Sequence, residues 1–218
     1  TPKPSSAASD VYKRQKLLFF LPLISTIFTY PFGVLLGDKT AQYFSSTLIS
    51  IAAILSWFLF ISFSMSPSPE IIIPVLEWFF VSGQFFNWGI SVNSLTLLML
   101  TLVLTVSALV HIYSIEYMAH DNSKVRFMTY LSLFTFCMVA LVVSDNLIQL
   151  FFGWEGVGLA SYLLIGFWHH KKSANLAAMK AFLVNRVADF GFLIGIATPV
   201  SYTHLRAHET REDRVWRV

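Results

Sequence analysis

A carboxylate stands in the middle of a stretch apolar enough to cross a membrane. The stretch runs from Asn146 to Phe167, and Glu155, within Gly153-Trp154-Glu155-Gly156-Val157, is its only charged group. Placing a bare carboxylate at bilayer depth costs at least roughly 2.5–3.5 kcal/mol on insertion scales. Chains tolerate that cost where the group lines a polar pathway or meets a partner. The feature therefore points to an all-α polytopic membrane protein that handles ions or protons inside a helix bundle.

Composition agrees with a membrane class. Hydrophobic residues make up 56% of the 218 residues and charged residues 12%, about half the share usual in a soluble domain. The net charge of +3 is small and gives no ground for a nucleic-acid role. Cys137 is the one cysteine, so an internal disulfide is excluded and a zinc or iron–sulfur site lacks thiols. It reads as a small buried hydrophobe. Walker, dinucleotide and nucleophile-elbow motifs do not occur, so phosphate and nicotinamide chemistry in this chain are unsupported.

Six spans of about 20 residues fit the roughly 30 Å of hydrocarbon. They fall near 17–36, 42–65, 94–115, 127–143, 147–168 and 175–198. Pro22 and Pro31 lie in the first, where neighbouring groups can satisfy the freed carbonyls. The fourth and fifth form one apolar run broken at Ser144-Asp145-Asn146, turn and N-cap residue types that predict a tight loop. Between the second and third spans, Phe86 to Asn93 alternates apolar and polar and follows Glu77-Trp78-Phe79-Phe80-Val81 across Ser82-Gly83. That pattern predicts a short external β-hairpin, with Trp78 and Trp88 at the interfacial belt.

The loops alternate in charge. Lys39 lies in loop one, Lys124 and Arg126 in loop three, and Lys171 and Lys172 beside His169-His170 in loop five. Loop two carries Glu70 and Glu77, and loop four carries Asp145, with no basic residue in either. The positive-inside tendency puts the odd loops on the cytoplasmic or matrix side and the native N-terminus outside. Lys3, Lys13, Arg14 and Lys16 contradict that placement. Residues 1–15 and 199–218 are polar or mixed in charge without apolar periodicity, and they resemble translated adapter or vector sequence. They are set aside from fold reasoning as non-native; a genuine soluble tail is the alternative.

The sixth span carries Lys180, Arg186 and Asp189. Arg186 and Asp189 are three apart, so they share a helix face and can pair. Lys180 points about 120° away, given about 3.6 residues per turn. One reading is an internal Arg–Asp pair plus a lysine that snorkels to the cytoplasmic surface. The other is a buried relay in which Glu155, Lys180, Arg186 and Asp189 set one another's protonation, since burial and a nearby opposite charge act on a carboxylate in opposite directions. Gly153, Gly156, Gly158 and Ser161 give the fifth helix a small face for close packing, and Gly191 and Gly195 form a GxxxG in the sixth. His111 suits a proton relay or, more simply, a hydrogen-bonded structural histidine. Glu116, His120 and Asp121 read as a solvated rim. His169-His170 lacks the further partners a metal needs, so no metal site is assigned.

The runs LVHIYSIEYM (109–118), RFMTYLSLFTF (126–136), LFFGWEGVGLASYLLIGFW (150–168) and AAMKAFLVNRVADFGF (177–192) resemble the antiporter-like subunit family of respiratory complex I, the chain 5 or subunit L type. The resemblance covers about residues 16–198. It implies an inverted-repeat antiporter-like fold. Residues 16–126 would form the N-terminal chain 5 region with the hairpin, and 127–198 the start of the proton-translocating domain. It also implies that Glu155 is the channel glutamate and that Arg186 and Asp189 modulate it, with Lys180 on the same helix. A partner lysine on a later helix, the second repeat and a lateral helix would lie outside this chain, which alone would not make a complete channel. Partners would be other complex I membrane subunits, the lipid bilayer and protons, in a bacterial inner or mitochondrial inner membrane. No cofactor is expected in this chain; NADH, FMN, iron–sulfur clusters and quinone would belong to other subunits. An Mrp-type sodium/proton antiporter subunit and a truncated structural scaffold remain as alternatives.

Overall fold

The computed structural model of the chain describes residues 6–65, 71–81 and 84–215. Six helices and one hairpin follow in order: α1 Ser6–Leu36, α2 Asp38–Met65, β1 Ile71–Val81, β2 Gln84–Val92, α3 Ser94–Tyr117, α4 Lys124–Val142, α5 Leu147–Ile165 and α6 Lys172–Val215. Helices α1 to α4 pack together, α5 adds to α4, and α6 adds to α5.

The packing is that of a membrane bundle. On α2 the inward face is built from small and hydroxylated residues: Ala41, Ser45, Ser46, Ala52, Ala53 and Ser56 are all buried. Most of its large side chains point outward, with Ile54 69% and Phe58 52% exposed, while Ile49 and Leu59 pack inward. In water that arrangement would be inverted. In lipid it is favourable, because small residues let backbones approach and the outside needs no polar cover. Five helices among the described residues are long and apolar enough to span a membrane, α1 counting from Lys16. The sixth expected span, in α6, differs: Lys180, Arg186 and Asp189 interrupt its apolar character.

Local signals account for the boundaries. Gly37 adopts φ 93° and turns α1 directly into α2, a left-handed conformation that glycine takes without steric cost. Loop one is thus shorter than the expected 37–41. Asn146 caps α5 by accepting the Gln149 amide N–H at 2.8 Å, and Asn93 caps α3 the same way from Thr96 at 2.8 Å. The tight loop expected at 144–146 is present. Pro22 and Pro31 sit within a continuous α1.

Antiparallel β1 and β2 pair with Ile73 opposite Ile90 and Ile72 opposite Ser91. The hairpin starts earlier than the alternation suggested, at Ile71, because the run Ile71-Ile72-Ile73 is β-branched and apolar. It is not a purely external element: Ile73, Ile90 and Val92 are 0–2% exposed and join the main core. The turn residues 82–83, Glu70, and the side chains of Glu77 and Trp78 lie outside the described residues.

The backbone is helical from Ser6 and continues helical past position 198 to Val215, where no element was expected. Strong helix formers such as Leu205, Ala207, Arg211 and Glu212 occupy that segment, and local propensity favours helix there without an apolar face.

Charge places the two ends of the bundle. Lys124 reaches Asp38 at 3.5 Å, joining loops one and three. The Trp168 indole donates to Asp121 at 3.1 Å, joining loops three and five. At the other end the Ser91 amide donates to the Val143 carbonyl at 2.9 Å, joining the hairpin to loop four. All basic odd loops therefore share one end, as the alternation required.

Candidate functional site

Helix α5 is held from both sides before it presents any chemistry. At its first turn the Gln149 amide makes two bonds with the Gly89 backbone, accepting from its N–H at 3.2 Å and donating to its carbonyl at 2.8 Å. Gln149 is 1% exposed, so both of its polar atoms find the partners that burial demands. Asn146 adds a bond to the Asn87 carbonyl at 3.1 Å, and Trp88 meets Phe152 edge-on at 5.2 Å. Further along, a Cβ at Gly153 would stand 2.7 Å from the Leu141 backbone and one at Gly156 2.7 Å from Cys137 Sγ. The glycines thus let α5 lie directly against α4. Gly191 and Gly195 face open space instead, so the α6 GxxxG makes no close contact among the described residues.

With α5 so fixed, Glu155 lies near its midpoint and faces α6. The Arg186 guanidinium donates to Glu155 Oε2. The same Nη1 lies 3.7 Å from Asp189 Oδ2, and the Trp154 indole N–H donates to Asp189 Oδ1 at 2.8 Å. Arg186 also lies over the Phe182 ring at 4.8 Å, a cation–π contact that further fixes the guanidinium. The result is one cation between two carboxylates of different helices, with an indole donor on the second. Asp189 is 6% exposed as a residue. Glu155 and Arg186 are more open, at 22% and 46% of their side chains.

This arrangement can share one positive charge between two negative ones. The 3.7 Å Arg186–Asp189 separation is longer than a hydrogen bond, so the main partner of Arg186 is Glu155 rather than the helix neighbour that spacing suggested.

Of the four relay residues expected from the sequence, three come together. Lys180 does not: it is exposed and makes no ion pair among the described residues. It lies six positions closer to loop five than Arg186, on another face of α6. Trp154 was not singled out, although it stands beside Glu155 and its indole N–H is a donor that takes an acceptor within an apolar helix. Gln149 was also missed.

Elsewhere, Asp121 is more than a solvated rim group. The Ser123 amide donates to it at 2.7 Å and the Trp168 indole at 3.1 Å. These two donors, with Arg126 assisting, hold its carboxyl below the usual carboxylate range. Arg126 and Lys171 lie over Phe167 and Trp168 at 5.1 and 5.0 Å. The His169 and His170 rings lie 3.8 Å apart and exposed. A cleft of about 420 Å³ opens beside Arg126, Tyr130, Tyr162 and Asn175 and contains none of the Glu155–Arg186–Asp189 group.

Comparison with known proteins now decides the family. Residues 78–128 match the model described as NADH-ubiquinone oxidoreductase (complex I), chain 5 N-terminus, and residues 144–206 match NADH:quinone oxidoreductase/Mrp antiporter, TM. The chain belongs to the antiporter-like subunit family of complex I, chain 5 or subunit L type. It is 46% identical over 186 residues to NADH-quinone oxidoreductase subunit L of Rickettsia conorii, covering 85% of this chain and 28% of that protein. It is 52% identical over 169 residues to subunit L of Rhodobacter capsulatus, covering 74% and 23%. To NADH-ubiquinone oxidoreductase chain 5 of Chondrus crispus it is 44% identical over 180 residues, covering 83% and 27%. The chain thus spans under a third of the length of these relatives. Two solved structures share its fold at 20% identity. An archaeal membrane-bound sulfane sulfur reductase has TM-score 0.70 over 84% of this chain and 36% of its own. The Mrp complex of a Dietzia species has TM-score 0.69 over 89% and 20%. The second family match reaches residue 206, past the boundary set at 198.

Proposed function

We propose that this chain is part of a proton-translocating membrane subunit of an NADH:quinone oxidoreductase, a translocase in which electron transfer from NADH to quinone drives protons across the membrane. Glu155 holds the transported proton, Arg186 sets its affinity, and Asp189 competes for the same guanidinium. Lys180 stands on α6 between this group and the basic loop five, where it serves as the cation nearer the surface. The chain works with other membrane subunits of the complex in a bacterial inner or mitochondrial inner membrane. NADH, FMN, iron–sulfur clusters and quinone are bound by those other subunits.

One observation carries the reading: Arg186 links a carboxylate at mid-helix on α5 to a second carboxylate on α6. A purely structural pair needs one anion. Two anions that share one cation offer two protonation preferences in one site, which a pump requires and a scaffold does not. The family match supports the same reading.

The Mrp-type fold likeness makes the transported ion the point to test. The full complex is reconstituted in vesicles, supplied with NADH and quinone, and followed with a pH-sensitive dye in sodium-free buffer. Full proton uptake without sodium is the expected result. Uptake that appears only on adding sodium, with matching sodium movement, would assign the sodium/proton antiporter reading instead.

A further inference from the structure

A second protonatable group lies well inside the bundle, away from Glu155. His111 on α3 is fully buried, and so are Ser25 on α1, Ser45 on α2 and Ser132 on α4. Four helices thus meet at one polar node. The hydroxyls form a triangle: Ser25–Ser45 at 3.1 Å, Ser25–Ser132 at 2.9 Å and Ser45–Ser132 at 2.8 Å. His111 Nε2 lies 3.3 Å from Ser132 Oγ, and its Nδ1 lies 2.8 Å from the Ser107 carbonyl.

Counting protons decides what this node does. The Ser107 carbonyl can only accept, so Nδ1 carries a hydrogen. In the neutral ring Nε2 is then bare and needs the Ser132 proton. The three hydroxyls supply three protons for four contacts, and one short O···O contact is left without a hydrogen. The other neutral tautomer fills Nε2 and lets Nδ1 accept from the Ser107 hydroxyl at 3.3 Å, but it sets the bare Nδ1 at 2.8 Å from the Ser107 carbonyl oxygen. Only the imidazolium supplies a hydrogen to every contact: Nε2–H donates to Ser132, Ser132 to Ser25, Ser25 to Ser45 and Ser45 to Ser132.

We infer that the His111–Ser132–Ser45–Ser25 node is a second proton-holding site, which takes up one proton at Nε2 while the three hydroxyls reorient. No other bond forms or breaks. The inference rests on the proton-transport reading above, since a buried proton site serves a subunit that moves protons.

The surroundings favour a site that can empty again. The side-chain and backbone partners of His111 belong to Ser107, Ser132 and, through its own carbonyl, Ser46; none is charged. The charged groups on the four helices whose side chains are described stand toward their ends: Lys16 on α1, Asp38 and Lys39 on α2, Glu116 on α3, Lys124 and Arg126 on α4. Lys124 is engaged by Asp38. Tyr30, Tyr43, Tyr113 and Tyr117 are exposed, Tyr130 lines the cleft beside α6, and Cys137 faces Gly156. The neutral partners of His111 can reorient as the proton arrives or leaves. A route for the proton is marked by Gln42, one turn from Ser45 toward loop one, whose amide nitrogen is buried with no partner among the described residues. Such a group is where a bridging water finds a hydrogen bond.

The test uses the assembled complex in vesicles and follows proton pumping over a pH range that starts below the window in which an exposed histidine changes charge, about pH 5–8. His111→Gln should flatten the pH profile. Ser132→Ala, which keeps the packing volume but removes the acceptor for Nε2–H, should move the midpoint toward acid by about one unit, a tenfold loss of proton affinity. NADH oxidation in uncoupled vesicles should stay within about twofold of wild type. Wild-type profiles in assembled Ser132→Ala overturn the inference and leave the node as packing, even if His111→Gln fails to assemble. Glu155→Gln, run beside them, addresses the proton-transport reading separately: its pumping reports on Glu155, and the pH profiles of the other two report on His111.

Discussion

Arg186 on α6 donates to Glu155 on α5 and lies 3.7 Å from Asp189 one turn along its own helix. A guanidinium can hold two carboxylates at once because its donors fan out in a plane; an ammonium offers a compact point charge. Arg186→Lys should therefore keep the charge yet lose part of the geometry. Pumping per electron is expected to fall several-fold, and by roughly tenfold or more in Arg186→Ala, where two carboxylates are left without their shared cation. Wild-type pumping in Arg186→Lys together with loss in Arg186→Ala would show that only charge matters.

Helix α5 lies against α4 because Gly153 has no side chain. Gly153→Ala places a methyl 2.7 Å from the Leu141 backbone, which cannot retreat as a flexible side chain would. Overpacking of this kind costs about 1–3 kcal/mol. The thermal inactivation temperature of the assembled complex should drop. Gly191→Ala meets nothing within 4 Å in the described structure and should leave it unchanged or slightly higher, since alanine is the better helix former.

Gln149 ties α5 to the hairpin through both atoms of its amide. Gln149→Leu keeps the volume and strands the Gly89 N–H and C=O, at about 1–3 kcal/mol for buried groups left unpaired. Faster hydrogen exchange at Gly89 and Ser91, with slower change in α3, is the expected readout. Unchanged exchange at those amides would place the hold elsewhere, in Asn146 or in the Ser91–Val143 bond.

Asp121 gives the basic end of the bundle an acid sensitivity. Its pKa is lowered in the folded chain by the Ser123 and Trp168 donors. The stabilisation is therefore present above the unfolded carboxylate value, about 3.9, and is lost as pH falls through the lower folded value. Trp168 fluorescence should change in that acid window in wild type and not in Asp121→Asn. A transition of the same size in Asp121→Asn would rule out this carboxylate as its source.

The parts of the fold that were legible in the sequence are those set by local rules. Span lengths, the Asn146 cap and the alternating loop charges each depend on a few neighbouring residues. Glu155 was legible because a charge in an apolar run costs too much to be incidental. Its direct pairing with Arg186 was only one of two readings, since i,i+3 spacing reveals neighbours on one helix and Arg186 reaches across to α5. Gln149 was illegible for a similar reason: a polar residue in an apolar run acquires its meaning from Gly89, sixty positions away. Lys180 was placed in the relay although it lies about 120° around the helix from Arg186; it is exposed and makes no ion pair among the described residues. The Gly191 and Gly195 motif has no contact among the described residues, while Gly153 and Gly156, which do not match that spacing, make the close ones.

The most direct measurement is the proton-to-electron ratio of the full complex carrying Glu155→Gln. Glutamine keeps the size of the side chain and can still accept from Arg186, but it cannot take up a proton. With NADH oxidation running in sealed vesicles and assembly confirmed, the ratio is expected to fall while uncoupled electron transfer persists. A wild-type ratio would contradict the account, because Glu155 would then be a partner for Arg186 and not a carrier of the proton.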